Sequence, residues 1–223
     1  MSERLPPPVS AFIAGAVPRA RGANAEIVRL MPGHRLVRIH PMAGPHPSAW
    51  DEFRRWGPTK SRFDHHTAPK RTQARGVLYA TWGFRSFVAA IAEYFQDDSG
   101  AGVGPIDTAH HRPAVTQFTV TAAVPLLDLN SGWVTRAGGN QTIRTGPRGV
   151  AREWARAIYR HHRDRVMGLS YGSSVWGPGS CVVLWESAAP SLEESPISSR
   201  LLQDPVMEHA VNGAAEVLQT YTL

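Results

Sequence analysis

GVLYATWGFRSFVAAIAEYF, residues 76–95, is the stretch that decides the fold. Its first six residues, GVLYAT (76–81), are a compact strand signal entered through Gly76. Ten residues later the period changes. From 86 to 95, Phe87, Ile91 and Tyr94 recur on one side beside Ala90, which is helical spacing. A strand handing over directly to a helix frames what lies around it. LVRIH (36–40) alternates apolar and polar residues and predicts a half-buried first strand. AVTQFTVTAAVPLLDL (114–129) is β-rich, with Val115, Phe118 and Val120 in partial alternation. VAREWARAIYRHHRDRV (150–166) predicts the clearest helix, with an apolar stripe of Val150, Trp154 and Ile158, extended by His161 and Val166. SYGSSVWGPGSCVVLW (170–185) predicts strand, Gly-Pro turn, strand, and VMEHAVNGAAEVL (206–218) a short amphipathic helix. Strands and helices mix without a regular βαβ series, so the expected class is α+β: a mixed sheet core flanked by helices.

The intervening segments are read as connections. Residues 1–25, rich in Pro, Gly and Ala, are expected to form a loosely held arm. Residues 41–60 predict a long ordered loop with a helical turn at AWDEFRRW (49–56), and 97–113 a loop. Residues 130–148 predict turns or a mobile loop. At 223 residues the chain suits one domain. The expected division is an N-terminal arm (1–33), a central domain (34–188) and a C-terminal helical extension packed on it (189–223).

Composition narrows the function classes. The formal net charge is +6, yet no run of basic residues reaches five, so a nucleic-acid-binding tail is not indicated. The single cysteine, Cys181, allows no internal disulfide, fits a reducing cytoplasm, and reads as a small core residue in CVVLW (181–185). No stretch approaches the 18 or so apolar residues of a membrane helix. VSAFIAGAV (9–17) follows a proline-broken leader that has no net positive charge beyond the amino terminus, which argues against a secretory signal. The three adjacent histidine pairs, at 65–66, 110–111 and 161–162, project in divergent directions and make poor joint ligands. With no HExxH or CxxC beside them, no metal site is expected; the pairs are expected on the surface, the helical one partly buried. Arg152, Arg156, Arg160 and Arg163 share a helix face, read either as solvated or as facing an acidic partner. The glycine stretches GAGVG (100–104) and AGGN (137–140) lack the pattern of phosphate loops, and GSSVWG (172–177) that of a nucleophile elbow.

Four polar residues remain: Arg62 in SRFD (61–64), Tyr79 in GVLYAT, Glu93 in FVAAIAEYF (87–95) and Ser173 in GLSYGSSV (168–175). Glu93 closes an apolar helical run, a poor place for a carboxylate unless it is exposed at the helix end or faces a polar cleft. In order, LVRIH, SRFD, GVLYAT, AAIAEYF (89–95), LLDL (126–129) and GLSYGSSVWGPGSCVVLW (168–185) resemble the RES domain, over roughly residues 34–188. That family is named for its Arg, Glu and Ser and supplies the toxin of bacterial toxin–antitoxin pairs.

The resemblance implies an ADP-ribosyltransferase-like fold that cleaves the nicotinamide–ribose bond of NAD, passing ADP-ribose to inorganic phosphate or water. NAD is then a substrate, and no cofactor is implied. Arg38 matches the family's first-strand arginine, Arg62 its turn arginine, Tyr79 its strand tyrosine, Glu93 its helix glutamate and Ser173 its late serine. The expected roles are diphosphate or acceptor-phosphate binding by Arg38 and Arg62, and packing of Tyr79 on nicotinamide. Glu93 would stabilise the oxocarbenium-like charge, and Ser173 would hydrogen-bond ribose or phosphate. Departures are Ser61 and Asp64, where Gly and Asn are common in the family, and a gap of 14 residues from Tyr79 to Glu93, a few longer than usual, with WGF (82–84) as the insertion. An antitoxin with a helix-turn-helix domain is the implied partner, and residues 189–223 are open to a role in a homo-oligomer. Two alternatives stand beside this: ADP-ribosylation of a macromolecule, and a basic nucleic-acid-binding module without catalysis.

Overall fold

Alternation in residues 76–82 sends Val77, Tyr79 and Thr81 to one face and Leu78, Ala80 and Trp82 to the other. Five of the six are apolar, so both faces are covered, and the segment belongs to a central strand. In the computed structural model, which describes residues 4–97 and 102–223, it is the end of the longest described strand. In chain order the elements are α1 (Ser10–Gly15), β1 (Ile27–Leu30), β2 (Arg35–Pro41), β3 (Arg54–Gly57), β4 (Arg71–Trp82), α2 (Ser86–Tyr94), β5 (Pro113–Thr119) and β6 (Val124–Asp128). They continue with α3 (Trp133–Arg136), α4 (Arg148–His162), β7 (Gly168–Gly172), β8 (Ser180–Trp185), β9 (Ser198–Leu201) and α5 (Glu208–Leu218).

The nine described strands form one mixed sheet in the order β1-β6-β7-β8-β4-β2-β5-β9, with β3 pairing β4 beside β2. Only β6 and β7 pair in parallel. The chain is thus α+β, as expected, with an open sheet and helices against it. One face carries α4 over β6–β8, through Trp154, Ala155 and Ile158, and α2 over β2 and β4, through Ala90 and Ile91. α5 packs on α2 through Val211, Ala214 and Ala215. The other face carries Trp50, Phe53, Ala188 and Leu192 from the connections. No described helix is long and apolar enough to cross a membrane.

Several expectations are corrected. LVRIH is the second strand, not the first, because Ile27–Leu30 pairs with β6. The N-terminal arm is not loose: Leu5, Ile13 and Ala16 are buried, and the carbonyls of Pro6, Ile13 and Ala16 accept hydrogen bonds from Trp154, His162 and Trp133. The buried Glu26 accepts both Nε and Nη2 of Arg136, at 2.8 and 2.6 Å, tying this region to α3. AWDEFRRW runs into strand β3, with a register shift between Arg54 and Trp56. Residues 130–148 hold α3 and a 3₁₀ turn whose Trp133, Val134 and Ile143 are fully buried. On α4 the inward histidine is His162, not His161. His65 and His66 are fully buried rather than on the surface. Of GAGVG, Gly100 and Ala101 lie outside the described residues, as do 98 and 99 of the adjoining loop.

Candidate functional site

The sheet is split. β2 and β4 pair only at Leu36–Trp82 and Val37–Thr81, while β3 pairs with the same edge of β4 as far as Val77. Between these contacts, residues 78–80 have a strand partner only on the β8 side, where Tyr79 lies opposite Val183. A cavity of about 410 Å³ opens at this gap. Both sheet faces contribute to its wall: Val37, Ile39, Tyr79 and Thr81 from one, Arg38 and Ala80 from the other. The Thr81 hydroxyl lies 2.6 Å from the Ser86 carbonyl and 3.2 Å from that of Val37, so it ties β2 to the start of α2.

α2 carries Glu93 into the cavity. Its inward residues Ala89, Ala90 and Ala92 are small, and that lets the helix lie close to the β7–β8 turn. The approach is tight at Gly179, where a β-carbon would stand 2.8 Å from that of Ala89. Ser173, at the end of β7, donates a 2.6 Å hydrogen bond to Glu93 Oε1. The same hydroxyl accepts from the backbone N–H of Val175 and Trp176, at 3.2 and 3.0 Å. With two donors feeding its oxygen, the Ser173 proton is aimed at the carboxylate. Ser173 is buried and faces Glu93 rather than the open cavity, so its position differs from that of a substrate contact. The Glu93 carboxylate has Cys181 as a further neighbour, and burial, then the Glu93 charge, push that thiol well above its usual range. Cys181 is therefore a protonated part of the wall.

Arg62 lines the cavity and donates to the Gly146 carbonyl at 2.6 Å. Burial and the nearby Arg148 lower its pKa, while Tyr171 and Glu93 counteract this. Arg38 is fastened elsewhere: its Nη1 donates to the carbonyls of Trp50 and Glu52, at 2.9 and 3.0 Å. Burial brings its pKa down to about 10, which leaves it charged at neutral pH. It braces the loop before β3 against the split. Tyr79 turns its ring to the cavity and buries its hydroxyl, which among the described residues has no partner in good hydrogen-bond geometry; Ser61 and Arg54 are its polar neighbours. Burial raises its pKa. The structure thus brings Arg38, Arg62, Tyr79 and Glu93 to one cavity and sets Ser173 behind Glu93.

The SRFD turn is rigid because Asp64 is fully buried and saturated. It accepts from Thr59 N–H and Oγ1 (both 2.7 Å), Arg54 (3.2 Å), and the backbone and Nδ1 of His66 (2.9 and 2.6 Å). Burial opposes its ionisation, but the His66 and Thr59 hydrogen bonds outweigh that and hold the carboxyl far below the usual range. The buried carboxylate is thus accommodated by donors alone.

Sequence reasoning passed over Lys60, Arg148, Tyr94 and Tyr171, which also line the cavity. Arg148 donates to the Gln96 side chain, linking the start of α4 to the end of α2. The signal for it was slight: one basic residue after the Gly-Pro pair that opens the helix. Among the described residues no group of three or more His, Cys, Asp or Glu is placed to hold a metal ion. Compared with known proteins, the chain matches no family model, and no curated protein is significantly similar to it.

Proposed function

We propose that this chain cleaves the nicotinamide–ribose bond of NAD and passes ADP-ribose to inorganic phosphate or water. The observation that carries the proposal is Glu93, a carboxylate held by Ser173 in a cavity walled by a tyrosine ring and an arginine. Loss of nicotinamide leaves positive charge on the ribose, and a fixed carboxylate stabilises such a centre. In this reading Ser173 acts through Glu93 as a positioning residue. The Tyr79 ring packs on the nicotinamide, and its buried hydroxyl keeps the phenol from acting as a base. Arg62 and Arg148 each give one nitrogen to the protein, to Gly146 and Gln96, and bind the diphosphate through the others, since a guanidinium fork matches phosphate oxygens and both line the wall. Arg38, with Nη1 already committed, keeps the cavity open by holding its loop. The RES resemblance points to the same reaction, and to a toxin whose antitoxin partner would relieve NAD loss.

Purified protein incubated with NAD, with and without phosphate, should release nicotinamide, and mass analysis of the other product identifies the acceptor. Glu93→Gln should lower the rate about 10²- to 10³-fold with an unchanged circular dichroism spectrum. Unchanged NAD in the wild-type reaction, or full activity in the folded variant, would refute the assignment. Label transferred from NAD to protein or nucleic acid would replace the small acceptor with a macromolecule.

A further inference from the structure

A second, open depression begins where the cavity ends. Its lining includes Lys60, Lys70, Gly149, Arg152, Glu153 and Arg156. Lys60 belongs to both walls, and Arg148 of the cavity adjoins Gly149 of the groove. Arg152 donates to the Lys60 carbonyl at 3.1 Å, so helix α4 and the loop before Ser61 are joined along the groove floor. Four cations face one carboxylate here, and none of the four forms an ion pair among the described residues. Both lysines of the chain lie in this one groove.

The size of the cavity says what reaches this surface. About 410 Å³ is near the lower end for ligand pockets, room for one half of a dinucleotide. The other half must lie along an adjoining surface, and the groove adjoins at Lys60. An adenosine half carries no charge beyond the diphosphate, which leaves this field unmatched. A phosphomonoester on its ribose carries about −1.5 to −2 at neutral pH and three strong acceptors. Resting on the NAD-cleaving reading above, we infer that the groove takes a 2′-phosphate on the adenosine ribose, held by Lys70, Arg152 and Arg156, so that the enzyme accepts NADP and favours it over NAD.

The test compares kcat/KM for NADP and NAD in wild type, Lys70→Ala and Arg156→Gln, two variants that disturb no described hydrogen bond. Binding of 2′-phospho-ADP-ribose and ADP-ribose to the Glu93→Gln variant is measured beside it by calorimetry. Wild type should prefer NADP, and each variant should cut the NADP:NAD ratio about tenfold or more, as expected for one lost charged hydrogen bond. The 2′-phosphate should tighten product binding by a similar factor, less so in high salt. Turnover of NAD with no preference for NADP, and no gain in binding from the 2′-phosphate, would overturn this inference while leaving NAD cleavage in place. No turnover and no binding of either nucleotide would overturn both.

Discussion

His65 should make this protein acid-labile through one side chain. The imidazole is fully buried and stacks on Tyr159, with ring centroids 4.1 Å apart and planes 22° from parallel. Trp185 lies beside it at 5.7 Å. Among the described residues neither ring nitrogen has a hydrogen-bond partner; a carboxylate oxygen, Glu186 Oε2, is 3.8 Å from Nε2. Burial, then the charges of His66 and Arg75, push its pKa from 6.5 to about 3, against the opposing pull of Asp64. An unfolded chain therefore binds a proton near pH 6.5 that the folded chain refuses until about pH 3. Stability from the neutral ring is intact above pH 6.5 and is lost as pH falls through that window. At pH 4.5, about two units below the free value, the loss is about 3 kcal/mol, a large part of a typical 5–15 kcal/mol. Phe at this position keeps the aromatic stack and removes two unsatisfied nitrogens, a change near neutral at pH 7.5. Urea unfolding of wild type and His65→Phe at pH 7.5, 6.0 and 4.5 would show it. Wild type should lose about 2–3 kcal/mol more than the variant between the extremes, with equal m values. Parallel pH profiles would refute the argument, because Asp64, His40 and His162 contribute equally to both proteins.

Three further outcomes are expected. Ser173→Ala removes a charged hydrogen bond worth about 1.5–3 kcal/mol, so NAD turnover should fall about 10- to 100-fold, and thermal melting should drop because Val175 and Trp176 lose their acceptor; unchanged turnover would deny Ser173 its hold on Glu93. Gly179→Ala should cost about 1–3 kcal/mol by pushing α2 outward, and adding Ala89→Gly should restore turnover, which a steady-state assay of the double variant checks. Arg136→Met removes the ion-pair partner of the buried Glu26, leaving it the Arg19 N–H, and should cost about 3 kcal/mol at pH 7. Burial opposes ionisation of Glu26, yet the Arg136 and Arg19 hydrogen bonds hold its pKa below the ordinary value, so the deficit should shrink in calorimetry at pH values where the freed carboxyl protonates.

What could be seen in the residues followed periodicity. β4 and α2 were legible because Val77–Leu78–Tyr79 and Phe87–Ile91–Tyr94 each repeat at one clear spacing, and the hairpin of β7 and β8 because VVL is bounded by Gly-Pro. β3 and β9 were not. Both are four-residue strands, and Arg54, Arg55, Trp56 and Ser198, Ser199, Arg200 face largely outward, so burial imposes no alternation on them. Burial of His65 and His66 was illegible because it depends on Tyr159 and Glu186, partners that only tertiary folding supplies. Of the site, only Glu93 stood out by its patterning; Arg62 and Tyr79 could be named because the order of the motifs around them, not either residue alone, carried the resemblance. Arg38 could be named but not placed, since its carbonyl partners lie 12 and 14 residues away in a loop without pattern. Arg148 had no context of its own until α2 and α4 were brought together.

The two-rung contact between β2 and β4 makes binding and cohesion one property. Any occupant of the gap bridges strands whose own ladder is interrupted there, so it acts as a missing rung as well as a guest. Amide deuteration at 36–37 and 81–82 should slow on saturation, and the melting point should climb with the logarithm of ligand concentration once the site is nearly full. Thermal-shift screening of a nucleotide library would therefore find the natural occupant without presuming what the protein does to it.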